Sequence, residues 1–410
     1  MKRANVALII DDIVEVPAMN GVTNRFLSIG KRLSAAGNAT CVIADRGGTD
    51  LDALRREGLR GFLLPADWLY RLDQYSKVIS LLAAHGTNVL HVCNAHTMAA
   101  RYGFKLAHDL GAYLVVDMHD INADLIDRSD HEGRVIEERQ QDFVARHADS
   151  ICVMSSADLY RLATFGLPKN KLFHSPNGID KIVASVRRIE SKQVVFLGNL
   201  FYPPNMEAAK LIADEISGAV RTPGTRFLVI GPCPTSAYGR LARQNVEVLG
   251  AEPNLSLILA RAAVAIAPLR TGSGMKVKIL DYAAHQLPIV CTGIAALGYP
   301  SAEGLIVCGT VSELCDEIDK LLHDPIGSMA LGRSLSQLMF SRYNWDNVAR
   351  GLKDSYRELV CRDVVEKPRI DAPDIEEFVY AGMTFPPPIH LLEERYRSAR
   401  PMMVQSIFEI

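Results

Sequence analysis

Short runs of aliphatic and β-branched residues recur along the chain and alternate with longer segments of helical spacing. The runs of the first half are NVALII, ATCVIA, VLHVC, YLVVDM and SICVMS, and those of the second half are QVVFLG, RFLVIG, VEVLG, VAIAPL, LPIVCT and GLIVC. Segments such as RFLSIGKRLSAAG and NMEAAKLIADEIS lie between them. Near-continuous apolar strands that alternate with helices are typical of parallel sheets covered on both faces. The pattern predicts an α/β protein with doubly wound sheets.

The alternation pauses once, at the polar and charged segment KIVASVRRIESK. We therefore predict an N-terminal domain over residues 1–180, a linker over 181–192 and a C-terminal domain over 193–340. An amphipathic pattern over 341–360 predicts one further helix. The last stretch, 361–410, mixes prolines and charges with apolar residues, so we expect it to dock on the rest of the chain rather than to form a third domain.

Length and composition narrow the class of protein. A chain of 410 residues suits two domains, each large enough to bury its own core. With 48% hydrophobic residues, 22% charged residues and a net charge of −2, the chain lacks the basic footprint of a nucleic-acid-binding protein. The first apolar run is too short for a signal peptide and ends at Asp11 and Asp12. We expect a cytoplasmic protein with no transmembrane segment.

The chain contains eight cysteines, and no two of them have CxxC spacing. Several lie inside apolar runs, as in ATCVIAD and PIVCTG. This pattern predicts buried free thiols in a reducing compartment. A zinc site would need ligands grouped at short spacing, so we expect no metal site.

The stretch VAIAPLRTGSGMKVKILDYAAHQLPIVCTG, residues 264–293, predicts a strand, a glycine loop, a helix and a second strand. Gly272 and Gly274 allow backbone N–H groups to approach a ligand closely. The helix that follows directs the positive end of its dipole toward the loop, which favours a phosphate. Lys276 and Lys278 add positive charge, and an anion nearby would account for them.

Ligands of doubly wound sheets bind beyond the carboxyl ends of the strands, so the residues that follow each strand are the candidates for a binding site. His119 and Asp120 end the strand YLVVDMHD, where an imidazole can orient a substrate or stabilise charge. Asn94 and His96 follow the strand VLHVC, and Asn199 follows the strand that ends in FLG. A histidine with a purely structural role in the core is the alternative for His119.

Together these segments resemble glycosyltransferase family 4. The resemblance rests on the stretch just described and on LFHSPNGID, VVFLGNLFYPPNMEAAKLI, HADSICVMSSADLYRL and SRYNWDNVARGLKDSYREL, and it extends in the family's order over about residues 4–360. It implies a GT-B fold, in which two Rossmann-like domains face each other across a cleft and a terminal helix crosses back to the N-terminal domain. It also implies a nucleoside diphosphate sugar as donor, retention at the anomeric carbon, and no cofactor or metal.

The resemblance also implies roles for individual residues. Asp281 matches the family's second glutamate, which holds the ribose, whereas the first glutamate falls on Ser273. That departure is similar to a subset of the family with a Gly-x-Gly loop followed by basic residues. The predicted donor-binding residues are Gly21, Asn199, Leu255, Gly272, Ser273, Gly274, Met275, Lys276, Lys278 and Asp281, with Leu255 packing on the base. The predicted catalytic residues are His119 and Asp120, and the predicted acceptor-side residues are Arg25, Asn94 and His96.

UDP-linked donors are frequent in the family, so we expect a UDP-linked donor here, with a small molecule or a glycan as acceptor. The tail is a candidate contact for a homodimer. Two alternatives remain open. One is a catalytically inactive partner that keeps the fold, because fold alone does not prove activity. The other is a nucleotide-sugar epimerase, although the paired acids and bases that it would need are not evident. A dinucleotide oxidoreductase is disfavoured because no GxGxxG motif opens a helix after a strand.

Overall fold

The computed structural model describes residues 3–16, 18, 21–37, 39–45, 48–65, 72–93, 98–119, 138, 142–164, 167–184, 189–272, 274–361 and 408–409. The chain divides into two compact units. The first unit comprises Met1–Ser175 and takes up the chain again from Asp346, and the second comprises Pro176–Trp345.

The first unit is built on a sheet of eight strands in the order β14-β3-β2-β1-β4-β5-β6-β7. Its strands are β1 Val6–Ile10, β2 Ala39–Asp45, β3 Gly61–Pro65, β4 Val89–Val92, β5 Tyr113–Met118, β6 Ser150–Val153, β7 Leu172–His174 and β14 Phe408–Glu409. Strands β1 to β7 pair in parallel, and β14 pairs antiparallel with β3 at the edge. Every residue of β1, β3, β4 and β6 is buried, as expected where helices cover both faces.

The helices of the first unit alternate with these strands. They are α1 Gly21–Ala35, α2 Leu51–Arg56, α3 Leu72–Ala84, α4 Met98–Leu110, α5 over 142–147, α6 Ser156–Thr164 and α14 Trp345–Cys361. A 3₁₀ turn, Lys169–Lys171, precedes β7. Helix α14 is anchored by Tyr356, which is fully buried and whose hydroxyl contacts Nδ1 of His91 in β4.

The second unit contains a six-stranded parallel sheet in the order β10-β9-β8-β11-β12-β13. Its strands are β8 Gln193–Leu197, β9 Arg226–Ile230, β10 Val246–Gly250, β11 Val264–Ala267, β12 Ile289–Thr292 and β13 Leu305–Cys308. Its helices are α7 Pro203–Leu211, α8 Ser217–Ala219, α9 Thr235–Leu241, α10 Leu255–Arg261, α11 Val277–Ala284, α12 Val311–His323 and α13 Pro325–Arg342, with a π-helical turn, Ile212–Ile216, between α7 and α8.

The strand order of the second unit reverses between β8 and β11. The chain builds outward from β8 through β9 to β10, and then returns to place β11 on the other side of β8. The segments that leave the carboxyl ends of these two strands diverge, which opens a crevice where open α/β sheets bind their ligands. The glycine loop follows β11, so the fold places it at this switch point.

The ends of β8 and its neighbour β9 require glycine. Gly231, directly after β9, has a φ of +137°, and a Cβ atom there would lie 2.2 Å from the carbonyl oxygen of Gly198. A Cβ on Gly198 would in turn meet the side chain of Asn205 at 2.8 Å. The ends of β8 and β9 therefore approach more closely than a side chain at position 231 would allow, and the end of β8 approaches Asn205 of α7 more closely than a side chain at position 198 would allow.

The structure confirms the predicted fold class of two doubly wound α/β units. Strand β3 is not among the predicted strands, because its sequence GFLLP lies between a glycine and a proline, which indicate a loop. All eight cysteines are free and six of them are buried, as their apolar surroundings predict. Among the described residues, no helix is long and apolar enough to cross a membrane. Apart from 408–409, the prediction that the tail docks lies outside the described residues.

We predict that Gly231→Ala destabilises the protein by roughly 1–3 kcal/mol or more, because the new Cβ combines an unfavourable φ with a backbone clash. Gly239→Ala is the matched control, since Gly239 lies in α9 with open space around its Cβ position and alanine favours helices. Urea unfolding of both variants measures the difference. A Gly231→Ala midpoint equal to that of the control would contradict the prediction.

Candidate functional site

The glycine loop connects β11 to the N-terminus of α11. Gly272 and Gly274 have φ values of +118° and +67°, in the region that favours glycine. Lys276 is the N-terminal cap residue of α11 in an extended conformation, and its side chain makes no capping hydrogen bond. The first N–H groups of a helix have no partner within the helix. The backbone here therefore offers donors and a positive dipole end to an anion.

Lys276 folds over the loop. Its ammonium group donates a hydrogen bond to the carbonyl oxygen of Gly274 at 3.0 Å, and it would lie 3.4 Å from a Cβ at position 272. The hydroxyl of Tyr299 donates to the carbonyl oxygen of Lys276 at 2.9 Å, which fixes the start of the helix. A positive charge thus lies directly on the glycine loop, and Gly272 leaves space for it.

Lys278 points away from the loop toward the strand β8. Its ammonium group donates to Oδ1 of Asn205 at 2.8 Å and lies 4.2 Å from the ring centroid of Phe196. Burial and, to a smaller extent, the positive charge of Lys276 lower the pKa of Lys278 to about 7, against the attraction of Asp281. The two lysines of the predicted site therefore occupy different environments.

Asp281 lies one turn further along α11 and is partly exposed. Burial raises the pKa of its carboxyl group to about 6, and Lys278 opposes that shift. At neutral pH the carboxylate is mostly ionised and can accept hydrogen bonds. Its predicted contact with a ribose stays a prediction.

The next residue of α11, Tyr282, was not among the predicted site residues. Its buried hydroxyl accepts a hydrogen bond from the N–H of Leu197, the last residue of β8, at 2.6 Å and donates to the carbonyl oxygen of Ile266 in β11 at 3.2 Å. The helix that carries Lys278 and Asp281 is thereby tied to both strands of the switch point. Nothing in the local pattern distinguishes this tyrosine from an ordinary core residue.

The other predicted donor-side residues of the second unit have mainly structural contacts. Oδ1 of Asn199 accepts a hydrogen bond from the N–H of Phe201 at 3.0 Å, which shapes the loop after β8. Met275 is buried, and Leu255 is the partly buried first residue of α10. The packing of Leu255 on a base stays a prediction, and Ser273 lies outside the described residues.

In the first unit, His119 follows β5 directly and is partly exposed. Its Nε2 lies 3.0 Å from the carbonyl oxygen of Cys93, to which it can only donate. Burial lowers the pKa of His119 to about 4, more than the nearby Asp117 raises it. The imidazole is therefore neutral at physiological pH, and this tautomer leaves Nδ1 as a hydrogen-bond acceptor. Asp120, Asn94 and His96 lie outside the described residues.

The structure corrects the prediction for Arg25. Its side chain is fully buried, its Nε lies 2.7 Å from Oδ2 of Asp117, and its Nη2 donates to the hydroxyl of Ser175 at 2.7 Å. A guanidinium with no exposed atom cannot contact an acceptor, so the role of Arg25 is structural. Gly21, four residues earlier, is the first residue of α1 rather than part of a loop.

Asp117 is the centre of this buried polar cluster. His91 Nε2 lies 3.1 Å from its Oδ1, and the Sγ of Cys152 lies within 4.8 Å of both groups, an arrangement that could hold a metal ion. However, Arg25 already occupies the carboxylate, and burial together with Asp117 holds the pKa of the Cys152 thiol well above its ordinary value. Because the Arg25 guanidinium already pairs with the carboxylate of Asp117, the residues fit a polar core better than a metal centre.

Comparison with known families identifies both units. Residues 20–178 match the family model described as a glycosyl transferase 4-like domain, and residues 191–324 match the model described as glycosyl transferases group 1. The chain carries two glycosyltransferase domains. They cover α1 to β7 of the first unit and, in the second, the glycine loop with both of its lysines and Asp281. No curated protein sequence matches the chain.

Solved structures show the same fold at low sequence identity. HepE (Alr3699) of Anabaena, solved with UDP and glucose, is 14% identical, with a TM-score of 0.65 over 87% of this chain and 100% of that one. A sucrose-phosphate synthase of Thermosynechococcus elongatus is 16% identical, with a TM-score of 0.66 over 88% and 100%. A glycosyltransferase of Rickettsia africae is 10% identical, with a TM-score of 0.63 over 88% and 100%. These glycosyltransferase domains therefore have the GT-B fold.

We predict that Asp117→Asn destabilises the protein by about 3–5 kcal/mol, because it leaves the buried Arg25 guanidinium without its carboxylate. The control is Asp142→Asn, whose partner Arg146 is exposed, so that its loss should cost less than about 1 kcal/mol. Arg25 and His91 hold the pKa of Asp117 well below its ordinary value in spite of burial, which opposes ionisation. The advantage of the wild type should therefore persist above about pH 4 and decline in stronger acid. Equal urea midpoints for wild type and Asp117→Asn would contradict this account.

Proposed function

We propose that this chain is a retaining glycosyltransferase that transfers a hexose from a UDP-linked donor to a hydroxyl group of a small molecule or glycan, without a metal ion. The observation that carries the proposal is the glycine loop at the start of α11, with Lys276 folded over it, at the switch point of a sheet that matches the group 1 model. Structures of HepE with UDP-glucose and with UDP and glucose support the choice of donor.

In this proposal the second unit holds the donor. The backbone N–H groups of the glycine loop and of the first turn of α11 bind the diphosphate, whose charge is balanced by Lys276 and by the helix dipole. Asp281 accepts hydrogen bonds from the ribose hydroxyls, and Leu255 packs on the base. These hydrogen-bond donors are held in place before the reaction, since Tyr282 ties α11 to the sheet and Tyr299 fixes the start of the helix.

The chemistry depends on stabilising the departing diphosphate. Negative charge builds up on the leaving oxygen as the glycosidic bond breaks, and preorganised donors stabilise it more in the transition state than in the ground state. The departing oxygen then takes the proton of the acceptor hydroxyl on the same face of the sugar. His119 is neutral with Nε2 committed to Cys93, so it acts as a hydrogen-bond acceptor for a hydroxyl and not as a general acid.

Ser273 favours a second candidate function. It stands where the family has an acid that grips the donor sugar, and a serine hydroxyl binds hydroxyls without charge. An inactive partner that binds the donor without turning it over would show this departure. An active transferase releases UDP in the presence of an acceptor and an inactive partner does not, so an assay of UDP release separates the two functions.

Incubation with UDP-glucose and candidate acceptors, followed by NMR, tests the proposal directly. We expect release of UDP and a product whose anomeric configuration is that of the donor. Inversion would contradict the retaining mechanism, and binding without any release of UDP in the presence of acceptors would support the inactive partner. Activity that is unchanged by a chelator would agree with catalysis that needs no metal.

We predict that Asp281→Asn weakens the binding of UDP by roughly 10-fold to 150-fold, because a charge-assisted hydrogen bond contributes about 1.5–3 kcal/mol. The matched control is Asp316→Asn, an exposed acid on α12 that pairs with Arg221. Isothermal titration calorimetry measures both affinities at pH 7.5. If Asp281→Asn binds UDP as tightly as the control does, Asp281 has no part in the donor site.

A further inference from the structure

Lys278 makes a contact that its predicted role as a phosphate ligand does not explain. Its ammonium group is half-buried and donates at 2.8 Å to the amide oxygen of Asn205, a residue on α7. On the other side lies the ring of Phe196, in β8. Phosphate binding alone would not require Lys278 to donate to a neutral carboxamide that lies 73 residues earlier in the chain.

Asn205 connects Lys278 to the loop that follows β8. Its Nδ2 donates to the carbonyl oxygen of Asn199 at 2.9 Å, and Gly198 leaves no side chain that would displace it. The carboxamide therefore lies between the ammonium group of α11 and the backbone of the β8 loop. Asn205 thus connects the loop that follows β8 with the helix that follows β11.

The charged groups near Lys278 act on it in opposite directions. Lys276, two residues earlier, repels its ammonium group, while Asp281, one turn later, attracts it. Strand β8 contacts it through an aromatic ring, and helix α7 contacts it through an amide oxygen. Glu207, the acid of α7, instead accepts a hydrogen bond from Thr271 at 3.3 Å. Among the described residues, the group that accepts a hydrogen bond from Lys278 is thus neutral.

We propose that Lys278 is a positioning residue whose ammonium group becomes fully charged only when a nucleoside diphosphate occupies the glycine loop, and that it then holds the β8 loop in place through Asn205. This inference rests on the proposed donor site. A diphosphate on the loop brings two negative charges within about one helical turn of Lys278, which favours its protonated form. The charged form donates a stronger hydrogen bond to Asn205, and the two sides of the crevice are drawn together.

The consequence is that donor binding takes up a proton. Because the pKa of free Lys278 is about 7, roughly half a proton per ligand should be absorbed at pH 7, and the affinity should be about fivefold weaker at pH 8 than at pH 7. UDP-glucose is the right probe, since its diphosphate has no group that titrates in this range, unlike UDP. Both pH 7 and pH 8 lie above the pKa of Asp281, so this carboxylate contributes little to the change in affinity between them.

The experiment is calorimetry of the full chain with UDP-glucose at steps between pH 6.5 and pH 8.5, in buffers with different ionisation enthalpies. Lys278→Met should abolish both the proton uptake and the decline in affinity above pH 7. Lys278→Arg, which stays charged, should also abolish them and answers the question if the methionine variant does not fold. Lys276→Met should bind more weakly but keep the decline, with its midpoint moved to higher pH because the repulsion is gone.

Two results would count against these assignments in distinguishable ways. If the wild type binds UDP-glucose with the same affinity at pH 7 and pH 8 and without proton uptake, the role of Lys278 is overturned while the donor site stands. The same holds if Lys278→Met keeps the wild-type decline. If the wild type binds no UDP-glucose at all, the donor assignment itself fails.

Discussion

The hydroxyl of Tyr282 joins the ends of the two strands between which the second sheet reverses its order. It accepts from the backbone of Leu197 and donates to that of Ile266, and so it spans β8 and β11 where their segments diverge. A buried hydroxyl that satisfies both strands fixes helix α11 on the sheet, because the tyrosine belongs to that helix. The glycine loop and the charged residues of α11 take their positions from this contact. The candidate site therefore depends on a residue that need not touch a ligand.

The two units treat buried charge in different ways. In the first, Arg25 and Asp117 are both fully buried and pair with each other, so the charge is balanced within the protein. In the second, Lys276 and Lys278 lie two residues apart, and their ammonium groups donate to a backbone carbonyl oxygen and to an amide oxygen. A balanced pair is suited to holding a fold together. Positive charge beside the backbone donors of a helix N-terminus is suited to receiving an anion, which is why we place the donor in the second unit.

The sequence predicted the fold class, most of the strands and the composition of the glycine loop, because these features depend on neighbours in the chain. Gly272, Gly274 and Lys276 lie within five residues, so their grouping is visible in the pattern. The sequence did not predict that Arg25 is buried, because its partner Asp117 lies 92 residues away. It also did not separate Lys278 from Lys276, since the contact with Asn205 depends on how α7 and α11 pack on the sheet. Long-range pairing of polar groups is set by tertiary structure, and a periodic pattern does not reveal it.

We propose that the second unit binds a nucleoside diphosphate sugar. A thermal-shift panel of UDP, GDP, TDP, ADP and CDP with their common sugar conjugates tests it most directly. A ligand at about a hundred times its dissociation constant adds roughly 2.7 kcal/mol of stability, which a melting curve resolves. We expect a clear shift with UDP and its conjugates and none with the other bases. A melting temperature unchanged by every nucleotide would contradict the assignment of a donor site in this chain.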